Sequence, residues 1–252
     1  MGSIKRNRKI DLCMKWLNIG ILLLLNSQAC RSPVEYLSKR HQIECKHVGF
    51  TNQISKSYSK YEKLKRKASY QELVGYSQSE SSILRAYAHW ALVEKFQDQY
   101  IELFEQALQD TTKIIIRCGD TSRPRTIASS AYILFMESKM NEYERGMDYP
   151  IYHEDKGIKN QIALMDSLIL AYLPEDRFAI EQAIINREYH SDTILRNIIQ
   201  LAFQEDIELA GQYIKKHWRK ASFQNYKQVV KNIKRSNLSS QGKELFDVIT
   251  NN

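Results

Sequence analysis

The 252-residue sequence has few of the residues that interrupt regular structure, with only nine glycines and four prolines. Disordered chains are rich in such residues and poor in apolar ones, whereas 43% of this chain is apolar. Its length suffices to bury the core of one large domain or two small ones. We therefore expect a folded protein.

Motifs that mark familiar chemistry are also missing. The sequence contains no glycine-rich phosphate loop, no HExxH helix, no pair of CxxC motifs and no GxSxG elbow. The sequence therefore predicts no cofactor and no catalytic residue, and an enzyme is the less favoured interpretation.

A long apolar run of the kind that crosses a membrane is lacking as well. Trp16–Leu25 (WLNIGILLLL) has ten residues, about half of the ~20 that a transmembrane helix needs. It follows basic residues, which is the pattern of a secretory signal. Met14-Lys15 also makes a compact start, so Met14 is a candidate for the true initiator. We predict a signal peptide over residues 1–29 and export of the chain.

The end of this signal resembles that of a bacterial lipoprotein. A basic start, a short apolar core and Ala29-Cys30 are typical of that family, in which the cysteine is diacylated and becomes the mature N-terminus. Ser27 and Gln28 depart from the family pattern, and Ser27-Gln28-Ala29 also fits ordinary signal cleavage; an uncleaved buried helix is a third interpretation. The resemblance implies a lipid anchor at Cys30 in the cell envelope, at a Gram-negative outer membrane.

Net charge gives little guidance to further partners. The chain carries +8 in total, but residues 30–252 contain 32 Lys and Arg against 28 Asp and Glu, a net of +4. The run Lys56–Lys67 (KSYSKYEKLKRK) places lysines on the outer face of a predicted helix, either solvated or touching anionic lipid headgroups. Between Tyr213 and Arg235 aromatic residues interleave with basic ones, but export makes nucleic acid an unexpected partner.

Apolar residues at helical spacing organise the middle of the chain. In Ser81–Leu108 they recur on one face, pause at Gln97–Gln99 and then recur again, which predicts two amphipathic helices. Ser69 and Glu72 have the spacing of a capping box. Further helices are predicted over Ile158–Leu173, Phe178–Ile185, Asp192–Phe203, Ile207–Trp218, Phe223–Ile233 and Lys243–Ile249. Such short helix pairs cannot bury their apolar faces alone, so we expect them to stack.

Residues 69–95 resemble a HEAT-like repeat, whose second helix opens with an apolar-Arg step followed by small residues at the inter-helix contact. Leu84-Arg85, Ala88 and Ala91 match those positions. The run ILRAYAHWALVEK, followed by Asp110-Thr111-Thr112, is similar to a group of HEAT-like proteins from Bacteroidota that brings no known activity. The resemblance implies an all-α fold, a stack of helical hairpins (an α-solenoid) over residues 56–252, behind a lead-in tether at residues 30–55.

Four further segments lie outside these helix pairs. Thr111–Arg117 (TTKIIIR) is β-branched and favours a short buried strand or an irregular link. Val34–Phe50 is compatible with one helical face that ends at Gly49, and Ser122-Arg123-Pro124 with the cap of a helix through Met140. Asn141–Gly157 is a polar loop, long for a repeat stack, of the kind that displays a function.

Two hypotheses for function remain. The first is a non-enzymatic module whose helical-repeat surface binds an envelope protein or peptide, with Tyr87, His89, Trp90, His153 and Trp218 as its candidate surface. Aromatic side chains packed between helices explain the same residues. The second is an envelope enzyme or polysaccharide-handling lipoprotein, which a deep polar cleft converging on His89, on Cys118 or on the polar cluster at residues 148–155 would favour.

The sequence gives little support for a metal site and does not decide whether a disulfide forms. His41, Cys45 and His47 lie close together, but a structural zinc site needs four ligands and no second pair follows at suitable spacing. The acidic loop that contains His153 is more simply a solvated surface than a cation site. We therefore expect no metal. Cys45 and Cys118 remain after signal removal, and an oxidising compartment permits a disulfide between them without requiring one.

Overall fold

The computed structural model describes residues 32–141, 156–185, 188–219, 226, 230 and 238–250. The predicted signal peptide, the lipidation candidate Cys30, most of the Asn141–Gly157 loop with His153, and most of the predicted helix Phe223–Ile233 lie outside the described residues.

Eleven helices and four strands occupy these ranges. The strands are β1 (Ile43–Val48), β2 (Gln53–Ile54), β3 (Lys113–Gly119) and β4 (Thr121–Thr126). The helices are α1 (Pro33–Ser38), α2 (Lys56–Lys67), α3 (Tyr70–Ser77), α4 (Ser82–Lys95), α5 (Gln97–Ala107), α6 (Ile127–Asn141), α7 (Lys156–Tyr172), α8 (Arg177–Ile185), α9 (Asp192–Gln204), α10 (Glu208–His217) and α11 (Ser240–Thr250). None of the helices in the described ranges is both long and apolar enough to span a bilayer.

The expectation of an all-α solenoid is wrong. The strands form one mixed sheet in the order β2-β1-β3-β4, with β1 and β3 parallel and the outer pairs antiparallel. Residues 33–54, expected to be part of a lead-in, supply α1, β1 and β2 to this fold. The helical periodicity of the chain is real, but the sheet interrupts the stack that it suggested.

The antiparallel pair β3–β4 explains why a polar, proline-containing segment forms a strand. Of the two alternatives for Thr111–Arg117, a buried strand or an irregular link, the strand is observed as β3, but only Ile114 of it is buried. The cap and helix start expected at Ser122–Pro124 are wrong, because these residues belong to β4. Gly119, with φ of 59°, provides the positive φ that the short hairpin turn requires. Counting pairs from Cys118 and Thr121, Pro124 falls at a non-hydrogen-bonded position of an edge strand, where its missing N–H costs little.

The helix expected over Val34–Phe50 is wrong after its first turn and a half. Ser32 caps α1 through its side chain, but the chain then extends into β1, where Ile43 pairs with Ile116 and Glu44 with Arg117. Successive side chains of β1 therefore point to opposite faces of the sheet rather than lining one helical face, and Ile43 and Glu44 are both buried.

Helix α4 is the centre of the core, as its apolar spacing predicts. Ten of its residues are buried, and Ser81 accepts a hydrogen bond from the Leu84 N–H at its start. The rings of Tyr87 and Trp90 pack against Tyr61 of α2 at centroid distances of 5.3 and 6.0 Å. The predicted capping box of Ser69 and Glu72 is present in α3.

Arg85 ties α4 to the segment that leads into the sheet. Its guanidinium donates to Asp110 Oδ2 at 3.1 Å, to Thr112 Oγ1 at 3.1 Å and to the Ser79 carbonyl at 2.8 Å. These bonds fix the start of α4 relative to the turn before it and to the segment that precedes β3.

The C-terminal helices pack as pairs and form a helical layer beyond α6. Helix α7 packs against α8, and α9 packs against α7, α10 and α11. The predicted helices in this part of the chain agree with α7 to α11 to within three residues at each end, apart from the segment outside the described residues.

Candidate binding cleft

A cleft of about 470 Å³ separates the sheet from helices α2, α4 and α6. We call it the sheet–helix cleft. Its lining combines cationic, aromatic and aliphatic side chains with the Cys45–Cys118 pair: Cys45, Lys46, Tyr58, Trp90, Ile116, Cys118, Thr121, Arg123, Arg125, Ser130, Ile133, Leu134 and Glu137.

Strand register places two arginines on the wall of this cleft. Arg123 is opposite Ile116 and Arg125 is opposite Ile114 across the β3–β4 ladder. Because side chains alternate between the faces of a strand, Arg123 and Arg125 share the face of Ile114 and Ile116 that is turned to the helices. Along this face of β3, Ile114 at one end is buried and Cys118 at the other end is exposed. The cleft therefore opens toward the β3–β4 turn.

Arg125 is held rigidly at the inner end of β4. Its guanidinium donates to Asp176 Oδ1 at 2.8 Å and lies 4.6 Å from the centre of the Phe178 ring. Only 11% of the Arg125 side chain and 6% of the Asp176 side chain are exposed. Asp176 also accepts the Ala179 N–H at the start of α8, so this ion pair joins the sheet to the C-terminal helices.

Arg123 is the accessible cation of the cleft. It is exposed, and the ion pairs of the described residues give it no carboxylate partner. An arginine in this position offers a planar set of N–H donors to a carboxylate, sulfonate or phosphate group. Lys46 also lines the cleft.

Trp90 forms the apolar floor of the cleft. It is 4% exposed, and its indole N–H donates to Ser130 Oγ at 3.2 Å. Ser130 in turn donates to the Ile127 carbonyl at 2.7 Å. These bonds fix the indole ring with its polar edge satisfied, and the half-buried Ile116, Ile133 and Leu134 supply the more accessible apolar lining.

Glu137 is the acidic group at the rim of the cleft. It reaches solvent, yet the protein atoms around its carboxyl group raise its pKa by desolvation, an effect that the positive charge of Arg125 opposes. The cationic groups of the lining outnumber this carboxyl group, so the cleft favours an anionic guest.

Cys45 of β1 and Cys118 of β3 form a disulfide bond in the cleft wall, with 4.9 Å between their Cα atoms. The sequence alone did not decide whether this bond forms. Cys118 is exposed and Cys45 is half-buried. The bond consumes the ligand thiol that the His41-Cys45-His47 cluster would have needed, and no group of three metal-binding side chains occurs among the described residues.

Three of the residues predicted to form the interaction surface, Tyr87, His89 and Trp90, lie on α4, and only one of them reaches the cleft. Trp90 lines it, whereas Tyr87 is fully buried and accepts the Glu44 N–H at 2.8 Å. His89 is 6% exposed and lies 3.0 Å from the Tyr100 hydroxyl, and burial lowers its pKa to about 4. Tyr87 and His89 therefore offer no surface to a partner.

Trp218 lies far along the chain from the cleft, at the end of α10. It is half-buried and packs against the hydrophobic core. His153 is outside the described residues. The structure therefore does not gather the five predicted residues into one surface.

The residues that dominate the cleft charge were missed by the sequence analysis. Thr121, Arg123 and Arg125 alternate in TSRPRT, which is the period of a strand. That signal was available, but Pro124 favoured a helix start over a strand.

A second cavity of about 250 Å³ lies between α9, α10 and α11. Glu208, Glu244 and Lys215 line it together with Leu245 and neutral residues. Its charges are of both signs, so it selects no ligand class.

Comparisons of the chain with protein-family models, with curated proteins and with solved structures find no match.

Proposed function

We propose that the protein is an exported, non-enzymatic binding module, held in the cell envelope by a lipid on Cys30. Its sheet–helix cleft takes an anionic group carried on an apolar body, such as the C-terminal carboxylate of a peptide from an envelope partner or a small organic acid. The observation that carries this proposal is that Arg123 and the half-buried apolar side chains Ile133 and Leu134 line one cleft of about 470 Å³. Sites for small ligands typically have ~300–1,000 Å³, mostly apolar walls and a few placed polar groups.

The division of labour between the two arginines supports binding by Arg123. Arg125 already has its charge matched by Asp176, so its role is to hold β4 against α8. Arg123 is the cation that meets the guest. A bond between a guanidinium and an anion is worth about 1.5–3 kcal/mol in such a site.

An enzymatic role finds less support in the same cleft. Of its described lining residues, Glu137 is the single carboxyl group and none is a histidine. Cys118, the candidate nucleophile, is bonded to Cys45 and carries no free thiol. Acid–base or nucleophilic catalysis needs a second group in hydrogen-bond reach of the first.

The disulfide also supports a location outside the cytoplasm. Bonds of this kind persist in oxidising compartments and are rare where glutathione and thioredoxin keep thiols reduced. Together with the short apolar run before Cys30, the disulfide favours an envelope protein. In that location nucleic acid is not an expected partner of the basic segment 213–235.

The cleft can be tested with an anionic aromatic probe, 8-anilinonaphthalene-1-sulfonate, and its uncharged analogue N-phenyl-1-naphthylamine. Arg123→Gln is expected to weaken binding of the sulfonate at least about tenfold, because it removes a charge-assisted bond, and to leave binding of the uncharged probe unchanged. Fluorescence titration measures both constants. An N-acetylated apolar dipeptide with a free C-terminal carboxylate is expected to displace the sulfonate, whereas its C-terminal amide is not.

Arg117→Gln is the matched control for this experiment. Arg117 follows Ile116 in the same hairpin, so it points to the opposite face of the sheet. Equal weakening by Arg117→Gln and Arg123→Gln would indicate a general charge effect and contradict the proposed site. Displacement by the amide as strong as that by the acid would contradict a carboxylate-binding cleft.

The anchor is tested by intact mass and membrane fractionation in a lipoprotein-processing bacterium. A mature chain that begins at Cys30 with added acyl mass is expected, and Cys30→Ala is expected to lose that mass and leave the membrane fraction. An unprocessed chain in the cytosol would contradict export and return the 213–235 segment to consideration as a nucleic-acid surface.

A further inference from the structure

A row of lysines follows the solvent side of α2. Lys56, Lys60, Lys63 and Lys67 stand at spacings of four, three and four residues, which places them on one side of a helix. Lys56, Lys63 and Lys67 are exposed and Lys60 is half-buried. We call this set the α2 lysine row. The buried residues Ser57, Tyr61 and Leu64 lie about a quarter-turn around the helix from the row.

The positive charge of the row is not neutralised by the rest of α2. Its single acidic residue, Glu62, pairs with Lys65 at 2.7 Å, and Lys65 also pairs with Glu94 of α4. No carboxylate of the described residues forms an ion pair with Lys56, Lys63 or Lys67. Lys56, Lys63 and Lys67 are therefore available to an external anion.

Charge is strongly segregated along the chain. Residues 32–67 contain nine Lys and Arg against three Asp and Glu, a net of +6, whereas residues 68–252 contain 22 against 25, a net of −3. The first part of the fold is therefore basic while the remainder is slightly acidic. Such a block attracts anionic surfaces more strongly than the modest net charge of the whole chain suggests.

The basic block is also the part of the fold nearest to the proposed anchor. Ser32, the cap of α1, follows Cys30 by two residues, which span at most about 7 Å. Helix α1 packs on α2, and Lys60 Nζ lies 5.7 Å from the centre of the Tyr36 ring of α1. A lipid on Cys30 would thus hold α1 and its neighbour α2 next to the headgroups.

We propose that the α2 lysine row is a docking surface for anionic lipid headgroups of the membrane that carries the anchor. The proposal rests on the envelope location proposed above and is independent of the cleft. Each lysine close to an anionic bilayer strengthens binding about fivefold. The row then adds a second attachment to the acyl chains and fixes which side of the fold faces the bilayer.

The test uses the full chain with Cys30→Ala, which carries no acyl group, and vesicles of phosphatidylcholine with and without 30% phosphatidylglycerol. Flotation is expected to show binding to the anionic vesicles that ~0.5 M salt removes, since screening shortens the reach of charges to a few ångströms. Replacing the four lysines of the row by Gln is expected to weaken that binding about a hundredfold or more.

The matched control replaces four other exposed lysines by Gln: Lys113, Lys215, Lys216 and Lys243. It has the same net charge as the row variant and is expected to bind almost as tightly as the parent chain. Circular dichroism checks that both variants keep the fold. Absence of parent binding, equal binding by the row variant, or equal losses in both variants would overturn the proposal. If the row variant instead loses affinity only for an oligonucleotide, the row is a nucleic-acid surface and the proposal is likewise overturned.

Discussion

Replacing Cys45 and Cys118 together by serine is expected to lower the free energy of unfolding by about 4 kcal/mol. The bond joins residues 73 positions apart, and closing a loop of that length in the unfolded chain costs about this much entropy. In the folded state the two strands are already neighbours by backbone pairing, so we expect the fold to persist and the unfolded chain to gain freedom. Chemical denaturation of the parent and the double variant measures the difference.

The control for this prediction is reduction. A dithiol reductant is expected to lower the denaturation midpoint of the parent to that of the double variant and to leave the variant unchanged. A parent midpoint that does not respond to complete reduction would contradict a stabilising disulfide. Because the bond lies in the cleft wall, reduction is also expected to weaken binding of the sulfonate probe.

Asp176→Ala is expected to cost about 3–5 kcal/mol, because it leaves the guanidinium of Arg125 without a counter-charge at 11% exposure. The same carboxylate accepts the Ala179 N–H at the start of α8, so the loss of a helix cap adds to the effect. Asp176→Asn keeps an oxygen for the cap and removes the charge, and is expected to fall between the parent and the alanine variant. Thermal and denaturant unfolding measure all three.

A neighbouring ion pair and a double variant serve as controls for the predicted effect of Asp176→Ala. Glu175 pairs with Lys113 on the surface, where both side chains are more than half exposed, so Glu175→Ala is expected to leave stability nearly unchanged. Asp176→Ala combined with Arg125→Met is expected to be more stable than Asp176→Ala alone, because no buried charge remains. A double variant no more stable than the single one would contradict this account of the ion pair.

The helices were predictable because their signal is local. Apolar spacing identified α4, and the Ser69–Glu72 spacing identified the start of α3, since a helix satisfies its own backbone within four residues. The sheet was not predictable to the same degree. The β-branched residues Ile114, Ile115 and Ile116 indicated β3. Its partner β1 has the mixed sequence IECKHV, which forms a strand only because it pairs with β3, a segment far away in the sequence.

The cleft was less predictable still. Trp90 was a candidate from the sequence, but Arg123 was predicted to lie in a helix cap and Arg125 was not singled out. Strand alternation brings them to one face, and the register opposite Ile114 and Ile116 turns that face toward Trp90. A site assembled from an edge strand and two separate helices depends on tertiary pairing, which no local pattern encodes.

The parallel contact between β1 and β3 imposes an order on folding. Synthesis completes β1 at Val48, and its central partner begins only at Lys113, after α2 to α5 have been made. Contacts between residues so distant in sequence form slowly, since a long segment must be closed before they stabilise anything. Until β3 arrives, β1 presents an unpaired edge to other chains. We therefore expect assembly of the sheet to limit the folding rate, and aggregation to compete during that interval, with the cleft completed last.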